Sequence, residues 1–109
     1  MKMALTVWGN RISPVFDAAH RLLVVEIENT RIINRHYEPF YPELPTHLAV
    51  RLVEMNVAVL ICGAISEMPA NILEANGIKL IPFITGEAGD VIDAYIKNVP
   101  FMPAFLMPG

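Results

Sequence analysis

The sequence predicts a single α/β domain built on a five-stranded mixed sheet flanked by about three helices, and three observations predict it. Val- and Ile-rich runs with short polar breaks fill the first forty residues, helical spacing alternates with apolar runs after Thr46, and 109 residues suit one core. Hydrophobic residues make up 54% of the chain and charged residues 17%, against about 45–50% and about 25% in an average globular chain. Much of this surface should therefore be buried.

Met3 to Trp8 reads as a buried strand running into Gly9-Asn10-Arg11-Ile12-Ser13-Pro14, where Gly and Pro break the pattern and leave a shaped loop. His20 to Glu28 and Arg31 to Tyr37 are two further strands, joined by the polar turn Glu28-Asn29-Thr30 into a hairpin. Three prolines punctuate Pro39 to Pro45. Thr46 then caps a helix over about Leu44 to Met55, with Leu48, Leu52 and Val53 at helical spacing. Val57 to Ile61 is a continuous apolar run, as in a strand covered on both faces. Cys62-Gly63-Ala64-Ile65 leads into a second helix with Ser66 as its cap, Pro69 in its first turn and Asn76-Gly77 as its end. Ile78 to Phe83 reads as the fifth strand, and Glu87 to Lys97 as a third helix with Val91, Ile92, Tyr95 and Ile96 inward.

An antiparallel meander followed by right-handed βαβ crossovers fits a ribonuclease H-like sheet. Residues 1–98 form the expected domain. The tail, 99–109, carries three prolines, two phenylalanines and two methionines. It cannot continue a helix and is apolar enough to pack on something.

A net charge of −3 gives no basic footprint for nucleic acid. Apolar runs such as Val57 to Ile61 fall far short of the ~20 residues of a membrane helix, and Met1 to Asn10 lacks a signal-peptide core. A cytoplasmic protein is expected. Cys62, the only cysteine, excludes an internal disulfide and a multi-cysteine zinc or iron–sulfur cage from one chain.

The run Val7-Trp8-Gly9-Asn10-Arg11-Ile12-Ser13-Pro14-Val15-Phe16-Asp17 resembles the opening signature of the dinitrogenase iron–molybdenum cofactor biosynthesis family, which includes the NifX and NafY carriers. A second block, Leu60-Ile61-Cys62-Gly63-Ala64-Ile65-Ser66 followed by Asn76-Gly77-Ile78, extends the resemblance from Met1 to about Lys97. The resemblance implies a ribonuclease H-like fold without nuclease activity, and a nitrogenase-accessory role in binding molybdenum- or iron-containing clusters in transit to an enzyme. A relative of similar fold carries a molybdenum–copper sulfide cluster non-covalently, so the implied cargo is the iron–molybdenum cofactor or another molybdenum-, iron- or copper-containing sulfide cluster. The implied partners are metallocofactor assembly or acceptor proteins. The chain departs from the family's glycine-rich turn, because Cys62-Gly63-Ala64-Ile65-Ser66 holds one glycine where many members hold two or three.

A ribonuclease H-type nuclease needs clustered carboxylates for two metal ions. The first strand has none, Asp17 lies beyond it, and Glu26 and Glu28 alternate with Val25 and Ile27 as solvent-facing residues do. The loops after Met3–Trp8 and Val57–Ile61 should emerge at one end of the sheet, bringing Asn10, Arg11 and Ser13 near Cys62, Gly63 and Ala64. Backbone N–H groups of Gly63, Ala64, Ile65 and Ser66 with the Arg11 guanidinium would suit an anionic thiometallate. Alternatively, Arg11 only ties down its loop and Gly63 only allows close packing.

Cys62 is either a thiolate for a soft metal or an inert small hydrophobe. Of the scattered histidines His20, His36 and His47, only His47, near the start of a helix, is a candidate metal ligand. Met102 and Met107 offer thioethers or a flexible contact surface. Nothing marks a nucleophile elbow, so no enzyme activity is expected. The competing reading is a metal-free interaction module, homodimeric through its apolar tail or a regulator of a larger partner such as an ATPase.

Overall fold

The computed structural model describes residues 1–100 and 105–107. Its strands are β1 (Lys2–Trp8), β2 (Arg11–Ile12), β3 (Arg21–Glu28), β4 (Arg31–Pro39), β5 (Val57–Ile61) and β6 (Lys79–Ile81). Its helices are α1 (Pro45–Glu54), α2 (Glu67–Ala75) and α3 (Ala88–Ile96), with one 3₁₀ turn at Phe16–Ala18. The sheet runs β4-β3-β1-β5-β6, antiparallel from β4 to β1 and parallel from β1 through β5 to β6.

Six strands replace the expected five. Gly9, at φ +63°, turns the chain so that Arg11–Ile12 folds back as β2 on the end of β1, pairing Val7 with Ile12 and Trp8 with Arg11. Two residues are too few to carry a period, so the sequence reads there as loop. β6 is shorter than Ile78–Phe83 because Pro82 has no N–H to donate. Beyond it Phe83 turns left-handed, at φ +63°, a conformation that costs an L-residue roughly 1–2 kcal/mol.

The remaining elements follow local chemistry. Asn29 (φ 51°) and Thr30 (φ 62°) make the two-residue left-handed turn that a tight hairpin needs between β3 and β4. Each helix is followed by a left-handed residue, Asn56 (φ 62°), Gly77 (φ 83°) and Asn98 (φ 56°), which stops the helix and turns the chain away. Pro45 enters α1 in its first turn, where its missing N–H costs nothing.

Alternation along the strands divides the core in two. Ala4, Leu22, Val24 and Leu60 face Leu48 and Leu52 of α1 and Leu73 of α2, with Phe16 edge-on to Phe40 at 5.0 Å. Met3, Leu5, Val7, Val25 and Ile61 face Val91 and Ile92 of α3. Each fully buried Val, Leu, Ile, Phe or Met side chain here contributes about 1.5–3 kcal/mol of transfer free energy, and β1, covered on both faces, is buried from Met3 to Val7.

Of the tail, Phe105 and Leu106 pack on the α3-side cluster and Leu106 pairs with Ile84. Met102 lies outside the described residues. Among those described, no helix is long and apolar enough to cross a membrane.

Candidate functional site

β4 is parallel to β1, because each runs antiparallel to β3. The strands β4, β1, β5 and β6 therefore all end at one edge of the sheet, and α1, α2 and α3 all begin there. None of the three N-cap residues, Leu44, Ser66 and Glu87, makes a side-chain capping hydrogen bond.

At this edge the β1 and β5 loops are locked together. Ser13 is fully buried; its N–H donates to Thr6 O at 2.9 Å and its hydroxyl to Val15 O at 2.8 Å. The Ala64 N–H donates to Pro14 O at 2.9 Å, and the Phe16 N–H to Ala64 O at 2.8 Å. Only glycine permits this approach: a Cβ on Gly63 would sit 2.3 Å from Ser13 O and 2.5 Å from Pro14 O. The far side of the same turn is held by Phe83 N–H to Gly63 O and Ile84 N–H to Cys62 O, both at 3.0 Å. The Ala64 N–H is thus spent within the protein, while Ile65 and Ser66 lead on into α2.

Asn10 and Arg11 turn the other way, towards α3. Asn10 O accepts the Ala88 N–H at 2.8 Å, Gly86 O accepts the Ile12 N–H at 2.9 Å, and Arg11 Nη1 donates to Glu87 Oε1 at 3.2 Å. The sequence-predicted set thereby divides: Ser13, Gly63 and Ala64 form a seam, while Asn10 and Arg11 belong to the start of α3.

Both sides carry carboxylates, and only the α3 side sets a guanidinium among them. A cleft of about 310 Å³ between the starts of α1 and α2 is lined by Asp17, Glu43 and Ser66, and its carboxylates oppose an anion. A cleft of about 320 Å³ beside α3 is lined by Asn10, Arg35, Tyr37, Glu87, Gly89 and Asp90. Arg35 has no ion-pair partner among the described residues, and Arg21 stacks over the Tyr37 ring at 3.8 Å. Sequence reasoning missed Arg35 and Tyr37. The available signal was their i, i+2 spacing on a strand, which puts both on one face.

Cys62 lies fully inside the α1–α2 core, and desolvation pushes its thiol up from 9.0 to about 12. A protonated, sealed thiol does not fit the role of a metal thiolate. His47 lines a mainly apolar cleft of about 340 Å³ with Leu22, Tyr41, Leu48 and Arg51. No group of three or more His, Cys, Asp or Glu that could hold a metal ion occurs among the described residues. Exposed apolar side chains also lie at this end of the sheet: Trp8, its ring tilted against that of His20 with centroids 4.4 Å apart, with Val15, Leu44, Met68 and Phe83.

Solved structures share this architecture. One described as the crystal structure of PH0822 superposes with a TM-score of 0.82 at 18% identity, covering 95% of this chain and 96% of that one. A putative dinitrogenase from Methanocaldococcus jannaschii gives 0.72 at 22% identity, covering 90% and 89%. The apo form of the orange protein from Desulfovibrio gigas gives 0.72 at 19%, covering 95% and 94%. No curated protein matches the chain. The model of the family described as dinitrogenase iron-molybdenum cofactor matches residues 1–98, and the chain therefore belongs to that family.

Proposed function

We propose that this protein is a non-catalytic carrier for an iron- and/or molybdenum-containing metal–sulfide cluster during metallocofactor biosynthesis. The observation that carries the reading is the family match over residues 1–98. The strand order β4-β3-β1-β5-β6 supports a ribonuclease H-like classification, and likeness to the apo form of the orange protein fits a fold that takes up a cargo.

The chemistry of the edge favours holding an anionic cluster by hydrogen bonds and charge rather than by a full set of protein ligands. Cys62 is sealed and His47 sits apart in an apolar cleft. Arg35 and Asn10 line the α3-side cleft and offer guanidinium and amide donors beside Glu87 and Asp90, while Arg11 is paired with Glu87. Ser66 lines the separate α1–α2 cleft with Asp17 and Glu43, and the Ser13–Gly63–Ala64 seam ties the β1 and β5 loops together between the two clefts. The exposed Trp8, Val15, Met68 and Phe83 suit docking to an assembly or acceptor protein. That same rim favours a second reading, a metal-free interaction module or homodimer.

The test is reconstitution with tetrathiomolybdate, with and without copper or ferrous iron, followed by desalting, elemental analysis and visible absorption. Stoichiometric metal is expected to survive desalting. Arg11→Ala and Arg35→Ala are expected to lower retention while changing stability by no more than about 1 kcal/mol, as for other exposed charges. Colourless, metal-free wild-type protein would shift the assignment to the interaction module.

A further inference from the structure

The tail lies outside the family-matched residues 1–98, yet it is bonded to the loop that completes the candidate site. Inward, that loop donates from Phe83 N–H to Gly63 O and from Ile84 N–H to Cys62 O, both at 3.0 Å, and Gly86 O accepts the Ile12 N–H at 2.9 Å. These three bonds join it to both halves of the site. Outward, the Thr85 N–H donates to Phe105 O at 2.7 Å and the Met107 N–H to Phe83 O at 2.8 Å, with Ile84 and Leu106 paired between them.

The tail's side chains matter as much as its backbone. Ile84 is fully buried, with Phe105 and Leu106 packed against its cluster. The Phe105 ring lies so close to Gly86 that a Cβ there would be 3.0 Å from Cδ1. The clasped loop is also strained, since Phe83 is the only aromatic among the described residues with positive φ.

We propose that residues 105–107 are a strap that holds the Phe83–Gly86 loop shut against Cys62, Gly63 and Ile12, and that its release opens this end of the sheet to cargo. The part concerning cargo rests on the carrier reading; the part concerning the loop does not.

Hydrogen exchange on the full chain and on a chain ending at Ala104 tests the device, together with the rate of tetrathiomolybdate uptake. The shortened chain is expected to exchange the Phe83, Ile84 and Ile12 amides roughly tenfold faster or more, and to take up thiomolybdate faster. Leu106→Asp, which sets a carboxylate against buried Ile84, should do the same at full length. Unchanged protection of those three amides, with only Thr85 accelerated, would overturn the strap, and measurable but equal uptake by the two chains would overturn its role in admitting cargo. Should neither chain take up thiomolybdate, the carrier reading falls and the exchange result alone decides whether the strap exists.

Discussion

Replacing Gly63 with alanine probes the point on which the candidate site is built. The added methyl would meet Ser13 O at 2.3 Å, Pro14 O at 2.5 Å and the Pro14 carbonyl carbon at 2.7 Å. All three are backbone atoms, so no rotamer change relieves the clash. The loops must part, stretching the Ala64-to-Pro14 and Phe16-to-Ala64 hydrogen bonds, each worth about 0.5–1.5 kcal/mol net. Phe16, now 1% exposed, loses part of a burial worth about 1.5–3 kcal/mol. Stiffening of the unfolded chain returns about 0.4–1 kcal/mol. The balance is a loss of about 2–4 kcal/mol, or roughly 8–16 °C in Tm at about 4 °C per kcal/mol for a domain of this size. Far-UV circular dichroism during thermal and urea unfolding measures it. Gly89→Ala is the control: its Cβ would meet nothing within 4 Å, so it should be neutral or gain up to about 1 kcal/mol. A Gly63→Ala protein within about 0.5 kcal/mol of wild type, the usual range for an unconstrained surface site, would refute the steric argument.

Two further predictions concern buried groups beneath the same seam. The Cys62 thiol, raised from 9.0 to about 12 by desolvation, stays neutral in the folded chain while the unfolded chain ionises. Its contribution is complete below pH 9 and declines as pH rises towards 12, so wild type should lose about 1.4 kcal/mol more than Cys62→Ala between pH 8 and pH 10 in urea unfolding. Parallel pH curves for the two proteins would contradict the sealed thiol. The Thr6 hydroxyl is buried with no hydrogen-bond partner, and Thr6→Val, which keeps the shape and removes the unpaired group, should raise stability by about 1 kcal/mol. A lower urea midpoint would mean that the hydroxyl has a role the surrounding side chains do not reveal.

The sheet was legible because its signals are local. An apolar run at Met3–Val7 broken only by Thr6, and the continuous one at Val57–Ile61, mark strands covered on both faces, and Asn29-Thr30 marks the hairpin between β3 and β4. The site was only half legible. That the β1 and β5 loops share one end follows from topology, but the partner of Arg11 is Glu87, 76 residues away, and no local pattern announces it. Gly63 stood out by type, whereas its reason is the backbone of Pro14 pressing against it. Arg35 and Tyr37 looked like ordinary edge-strand residues until α3 was in place beside them. Phe83 gives no sign in sequence of its left-handed backbone, which loop and tail contacts impose.

The central position of β1 has a consequence for how the chain is made. β1 precedes every other element, yet its parallel partner β5 begins only at Val57. During synthesis the meander of β1, β3 and β4 can pair early, but it then presents two uncovered apolar faces. α1 begins to shield one face after residue 45, while the other waits for α3, which begins at Ala88. A nascent chain stalled between those points would expose Met3, Leu5, Val7 and Val25 together, a flat β-rich surface prone to association. Chains cut within that interval should be ready clients for chaperones, and completion of α3 should mark the moment when that need ends.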